Sequence, residues 1–366
     1  MKRTIPATPL KFLTVSAMIS ASLSVMGCEL FGKGSSSSSN VTSGQPGPTP
    51  SGEKYLYVTS GSTYVGAGVT TDVAVQTVSR YRLNGTFDRV VFDYNRNAGA
   101  GDQPVDIVNY DQKAVLVLVE NSSGGRRIDR VNKDGSGTFL FIQNLSALNG
   151  VLRSFASTFD GGWLVSKSSA IEKFSSNRGR VTPISATAYV NNPQGACAAT
   201  NTLVTEVLQG PGNTIIYLHA GASPNNKVAL VKSSGYVSST DCLSTVSAPS
   251  AAHLPTAALM HSNGRLLVAY STGAATAAEI YSYPITSTSI GSGTLAYTNL
   301  SVLKGVTSMI ELPDSTIAVA SAAVGYNAVD QFSYDVSTDI LSRVGTTPMI
   351  FSEVYLRSIS ALMVAD

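Results

Sequence analysis

The stretch LMHSNGRLLVAY, residues 259–270, reads as an apolar strand end, a turn at Asn263-Gly264 and a second apolar strand from Leu266 to Tyr270. The Asn-Gly pair supplies the positive φ that a tight hairpin needs. The same shape returns as IVNYDQKAVLVLV (107–119), FASTFDGGWLVS (155–166), VLQGPGNTIIYL (207–218) and MIELPDSTIAVA (309–320). The turns centre on Asp111, Asp160, Gly212, Asn263 and Asp314, at spacings of 49, 52, 51 and 51 residues. A constant spacing of this length marks a repeat architecture, whereas a β-sandwich needs none. One period beyond Asp314 lies Asp366, at the end of ISALMVAD, which matches the stretch before Asp314. The second half of that sixth hairpin is found at the other end of the chain, as KYLYVTS from Lys54.

A second strand-like element follows each hairpin: VSRYRLNG from Val78, RIDRVNKDG from Arg127, AIEKFSSN from Ala170, KVALVKSSG from Lys227, EIYSYPITS from Glu279 and VDQFSYD from Val329. Each runs past Gly, Asn, Asp or Ser into a weakly apolar fourth run such as FDRVVFDY from Phe87 or FLFIQN from Phe139. Four short strands per unit, six times over, with no long helical periodicity, predict an all-β chain folded as a six-bladed β-propeller of four-stranded antiparallel blades. A propeller must hide the edges of its first and last blades, and the split sixth hairpin does so by building one blade from both termini. The strand from about Tyr355 to Ala365 is expected to be the innermost of that blade.

In blade length and closure, residues 53–366 resemble the six-bladed propellers of the NHL-repeat, TolB-like and lactonase-type group. The resemblance is architectural. Lactonase-type members hold calcium in the channel with a carboxylate and asparagines, and no such set is assigned in this sequence. Kelch and Trp-Asp repeat signatures are absent, and STFDGGW from Ser157 is a partial echo of the sialidase Asp-box.

The chain begins with Lys2, Arg3 and Lys11, continues through an apolar stretch from Phe12 to Met26 and reaches Gly27-Cys28. This is a secretory signal in three parts, too short in its apolar part for the roughly 20 residues of a spanning helix. The stretch LSVMGC, residues 23–28, resembles the bacterial lipobox. That resemblance implies cleavage before Cys28, a diacylglyceryl thioether and an amide-linked acyl chain on that cysteine, and a membrane partner held through this lipid anchor. An ordinary signal peptide with a chance cysteine is the alternative. Residues 28–52 hold the run Ser35 to Ser39 and then QPGPTP, a composition that builds no core. Such a tether reaches roughly 25 to 30 Å. Glu29 in place of aspartate implies, by resemblance to enterobacterial sorting rules, the outer membrane. The organisation expected is therefore a signal peptide at 1–27, a lipidated tether at 28–52 and a propeller at 53–366.

Charged residues make up 13% of the chain against 43% hydrophobic, about half the usual 25% charged. Without the three basic residues of the signal, 22 Lys and Arg face 23 Asp and Glu. No basic stripe remains, which excludes a nucleic-acid partner. Cys197 and Cys242 are the cysteines left after Cys28, in an address that permits disulfides. Joined, they close a loop of about 46 residues, worth about 3 to 4 kcal/mol on the chain-entropy model. A redox or metal role is the alternative; there is no Cys-x-x-Cys, and His219, His253 and His261 show no paired ligand spacing.

In a propeller, inner strands bring their first residues to the channel mouth. Asp106, Arg153, Asn201, Thr256, Thr307 and Arg357 lie near those starts. They form either a polar ring for a small anionic or sugar-like ligand, with Arg153 and Arg357 as charge-assisted donors, or a hydrated and salt-bridged pore lining. Trp163 and the alternating Tyr55, Tyr57, Tyr281 and Tyr283 read as strand packing before they read as carbohydrate platforms. Glutamate-histidine and serine-histidine pairs do not occur at a diagnostic spacing, so no catalytic residue is assigned and no cofactor is called for. Two functions follow: an envelope-anchored module binding a protein or a small polar or carbohydrate ligand, or a channel-centred hydrolase or lyase that uses calcium.

Overall fold

The computed structural model describes residues 52–97, 101–121, 125–142, 151–167, 170–178, 190–191, 195–198, 203–233, 240–272, 277–299, 301–351 and 353–366. Cys28 and its tether lie outside the described residues, as does Asn201.

Each repeat folds as one antiparallel sheet. The first sheet is β1 (Tyr55–Ser60), β2 (Thr77–Arg82) and β3 (Phe87–Asp93), followed in the chain by one short helix, Tyr94–Asn97. The second is β4 (Asp102–Asn109), β5 (Ala114–Asn121), β6 (Arg126–Asn132) and β7 (Thr138–Ile142). The third is β8 (Leu152–Ser157), β9 (Trp163–Lys167), β10 (Ala170–Phe174) and β11 (Val190–Asn191). The fourth is β12 (Leu203–Gly210), β13 (Thr214–Ala220), β14 (Lys227–Lys232) and β15 (Cys242–Ser247). The fifth is β16 (Leu254–Met260), β17 (Arg265–Ser271), β18 (Ala278–Pro284) and β19 (Thr294–Thr298). The sixth is β20 (Val306–Glu311), β21 (Ile317–Ala323), β22 (Tyr326–Asp335) and β23 (Ile340–Arg343), with β24 (Ile350–Phe351) as an extra pairing on β22. The last strand, β25 (Ile359–Ala365), pairs with β1 and completes the first blade from the other end of the chain. It starts at Ile359, four residues later than the sequence suggests, because Glu353 to Leu356 form a turn closed by Leu356 N donating to Glu353 O at 2.9 Å.

The inner strands pack in a cycle, β25 on β4, β4 on β8, β8 on β12, β12 on β16, β16 on β20 and β20 back on β25. Six apolar clusters fill the gaps between neighbouring blades and close the same circuit. The second strand of each blade explains its continuous apolar run: successive side chains point to opposite faces, and both faces are covered. On β13, Ile215 and Tyr217 pack toward the third blade, while Ile216 and Leu218 pack toward the fifth. Trp163 sits in the cluster between the second and third blades, edge-on to Phe141 at 5.1 Å.

The acidic and amide turn residues have a local reason. Asp160, Asn263 and Asp314 each accept a backbone N–H from two residues on, at 3.3, 3.0 and 3.1 Å, the Asx geometry that competes with a straight strand. Gly264 then takes φ +84°. On the outside of the fourth blade, Cys197 and Cys242 form a disulfide with Cα atoms 5.6 Å apart.

Candidate functional site

All six inner strands break register near their starts. One residue in each lacks a paired partner in the ladder: Val105, Arg153, Thr205, Thr256, Thr307 and Ser360. A bulge re-aims its side chain, and all six of these residues line one cavity at the mouth of the channel. Asp106, Glu206 and Ser308, each next to a bulge, join them.

Residues 61–76, which join β1 to β2 without helix or strand, form a strap over that mouth. The strap starts at Gly61, whose N donates to Ser358 O at 3.0 Å, and ends with Val75 N donating to Ser60 Oγ at 3.2 Å. Between these points it reaches the neighbouring sixth blade, where Val324 N donates to Thr70 O at 3.0 Å and Asn327 Nδ2 to Asp72 Oδ2 at 2.6 Å. Gly66 is held at φ +88°, and a Cβ there would stand 2.5 Å from Ser271 Cβ, so the close approach requires glycine. Tyr64 hangs from the strap into the cavity, with the Arg153 guanidinium 5.2 Å from its ring centre. The space left is about 30 Å³.

Two carboxyls share this space. Asp106 accepts the backbone N–H of Ile107 at 2.7 Å and of Phe155 at 2.6 Å, tying the second blade to the third. Ser154 Oγ donates to Glu206 Oε1 at 2.8 Å and accepts from Val207 N at 3.2 Å, tying the third to the fourth. Burial pushes Asp106 up to about 7, opposed by those backbone donors and Ser154. Burial and the neighbouring Asp106 push Glu206 well above the usual carboxylate range. Burial also lowers Arg153, countered by Glu120 and Tyr64. Both carboxyls thus hold their protons to higher pH than ordinary carboxyls and act as hydrogen-bonded struts between blades.

Asp106, Arg153, Thr256 and Thr307 thus meet at the mouth. Arg357 does not: it is exposed and lines a separate cleft of about 450 Å³ with Asp72, Val73 and Glu353. Ser360 takes the place in the ring expected for Arg357. Thr205, Glu206 and Ser360 were within reach of the sequence, since Thr256 and Thr307 repeat at the blade period. Tyr64 was not, because the strap belongs to no repeat. Folding also brings a serine and a histidine together outside the channel: Ser250 Oγ lies 2.6 Å from His253 Nδ1, and His253 Nε2 lies 3.0 Å from Glu279 Oε2. No group of three His, Cys, Asp or Glu side chains with metal-holding geometry occurs among the described residues.

A protein of unknown function from Bacteroides caccae superposes on the chain with a TM-score of 0.53 at 13% identity, covering 85% of this chain and 98% of that one. A candidate 6-phosphogluconolactonase from Bacteroides fragilis gives 0.50 at 12% identity, covering 87% and 100%. A chain of a nidogen/laminin complex gives 0.51 at 12%, covering 85% and 98%. What they share with this chain is the propeller fold. No protein-family model and no curated protein matches the sequence.

Proposed function

We propose that this chain is an exported protein held to the bacterial envelope by lipid on Cys28, whose propeller binds a partner protein through its strapped end. The observation that carries this reading is the closed channel mouth. A cavity of about 30 Å³ admits about one or two waters, whereas ligand pockets run to roughly 300–1,000 Å³. A sugar ring or lactone has no room there, and several polar groups of the mouth, among them Asp106, Thr205 and Ser360, bridge neighbouring blades.

The outer side of the same end is different. Val73 on the strap, Val324 on the turn between β21 and β22, and Val354 are 87, 61 and 69% exposed. They flank the cleft that holds Arg357, Asp72 and Glu353. Exposed apolar side chains around a few charges make a surface suited to a protein partner. Gly52 meets Asp366 at the opposite end of β1 and β25, so the chain enters the propeller at the end away from the strap.

Two measurements test this. Cys28→Ala should move the protein from the membrane fraction to the soluble fraction and abolish incorporation of labelled palmitate; retention in the membrane refutes the anchor. Cross-linking in intact cells should lose its partner in Val73→Asp and Arg357→Ala and keep it in Arg153→Ala. Equal capture by all three refutes the strapped end as the binding surface.

A further inference from the structure

Ser250, His253 and Glu279 form a hydrogen-bonded relay at the mouth end of the ring but outside the channel, between the fourth and fifth blades. The contacts match one tautomer of the imidazole. With its hydrogen on Nε2, His253 donates to Glu279 Oε2 at 3.0 Å. Nδ1 is then the acceptor. The Ser250 hydroxyl, 2.6 Å away, is placed to donate to it. This is the arrangement that activates a serine: a hydroxyl on the basic nitrogen of a histidine whose other nitrogen is held by an acid.

The surroundings hold the relay in place. Asn226, 2% exposed, donates from Nδ2 to Ser250 O at 2.9 Å and to His253 O at 2.8 Å, clamping the backbone on both sides of the pair. His253 N donates to Ser250 O at 3.1 Å, which closes the turn. Tyr281 OH donates to Glu279 Oε2 at 3.1 Å, and the rings of Tyr270 and Tyr281 stand edge-on to the imidazole, each 6.0 Å away. Ser250 itself is exposed, so a reacting group reaches it without movement of the strap.

We propose that Ser250 is the nucleophile of a serine-type centre acting on carboxylic esters, with His253 as general base and Glu279 as the positioning residue. In acylation the Oγ–C bond forms while the hydroxyl proton passes to His253 Nδ1 and the carbonyl electron pair moves to oxygen. The Ala252 N–H donates to Oγ at 3.3 Å and holds the attacking oxygen in place. Collapse breaks the ester C–O bond, and the leaving alkoxide takes the proton from Nδ1. Water repeats the sequence in deacylation, releasing the acid and restoring the serine. This activity is independent of the partner-binding reading and of the channel.

The test uses the purified full chain and a fluorophosphonate probe, in which serine displaces fluoride from phosphorus. Mass spectrometry should place one adduct, on Ser250. Its rate should fall at least about tenfold in His253→Ala and several-fold in Glu279→Gln, with the thermal midpoint unchanged in the glutamine variant. Arg153→Ala should label at the parent rate, and Ser250→Ala should lose turnover of p-nitrophenyl acetate. An unlabelled Ser250, or labelling of His253→Ala as fast as the parent, overturns the proposal, because a hydrogen bond that only shapes the turn confers no reactivity.

Discussion

Replacing Asp106 by asparagine should make the stability difference between variant and parent depend on pH, in a direction set by burial. In the folded chain Asp106 titrates near 7, above the ordinary 3.8. A carboxyl raised on folding lends stability that is fully present below about pH 3.8 and is lost as the pH climbs through about 7. At 1.36 kcal/mol per pKa unit the loss approaches roughly 4 kcal/mol by about pH 8.5, and partial exposure of the side chain reduces this to about 2–4 kcal/mol. With an unfolding entropy near 2.1 cal/mol/K per residue, a domain of this size loses about 1.5 °C of melting temperature per kcal/mol, or about 3–6 °C in all. Asparagine keeps the volume and does not ionise. It does turn an amide toward one of the backbone N–H groups of Ile107 and Phe155 that both carboxylate oxygens now accept, at a cost of about 1–3 kcal/mol at every pH. Asp106→Asn should therefore melt below the parent at about pH 4, and the gap should shrink or reverse by about pH 8.5. Differential scanning calorimetry across that range measures it. Taking variant minus parent cancels groups titrating alike in both, such as His219, which burial pulls down to about 3. A gap constant to within about 1 °C would refute the buried, protonated carboxyl and with it the account of the mouth as interblade struts.

Reduction, or Cys197→Ser with Cys242→Ser, should cost about 3–4 kcal/mol and lower the melting temperature by about 5 °C without altering the circular dichroism of the sheets; an unchanged midpoint would show that the loop between β11 and β15 is already fixed by packing. Deleting Ile359 to Asp366 removes the inner strand that bridges β1, β4 and β20, so the truncated chain should fail to fold and be digested by protease under conditions that leave the parent whole. A stable truncated domain would mean that the ring closes without its shared blade.

The hairpins were legible because their causes are local. A turn such as Asp314-Ser315 carries its own Asx bond, a second strand such as Ile215 to Leu218 is apolar throughout because both faces are covered, and recurrence at one period needs only the sequence to be seen. That period also reached four of the mouth residues, Asp106, Arg153, Thr256 and Thr307. Arg357 was misplaced by counting from the expected strand start, whereas the bulge at Ser360 decides which side chain enters the channel.

The sequence by itself thus determined the architecture, the shared closing blade and the pairing partners left for Cys197, since each follows from periodicity or from counting. Tertiary structure alone decided that the mouth is closed, because the strap from Gly61 to Gln76 belongs to no repeat and finds its contacts across the ring. It alone placed Glu279 against His253, 26 residues away in sequence, and Glu206 within reach of Ser154. Distances of this kind depend on how neighbouring blades twist and pack, a property of the closed ring that no single repeat encodes.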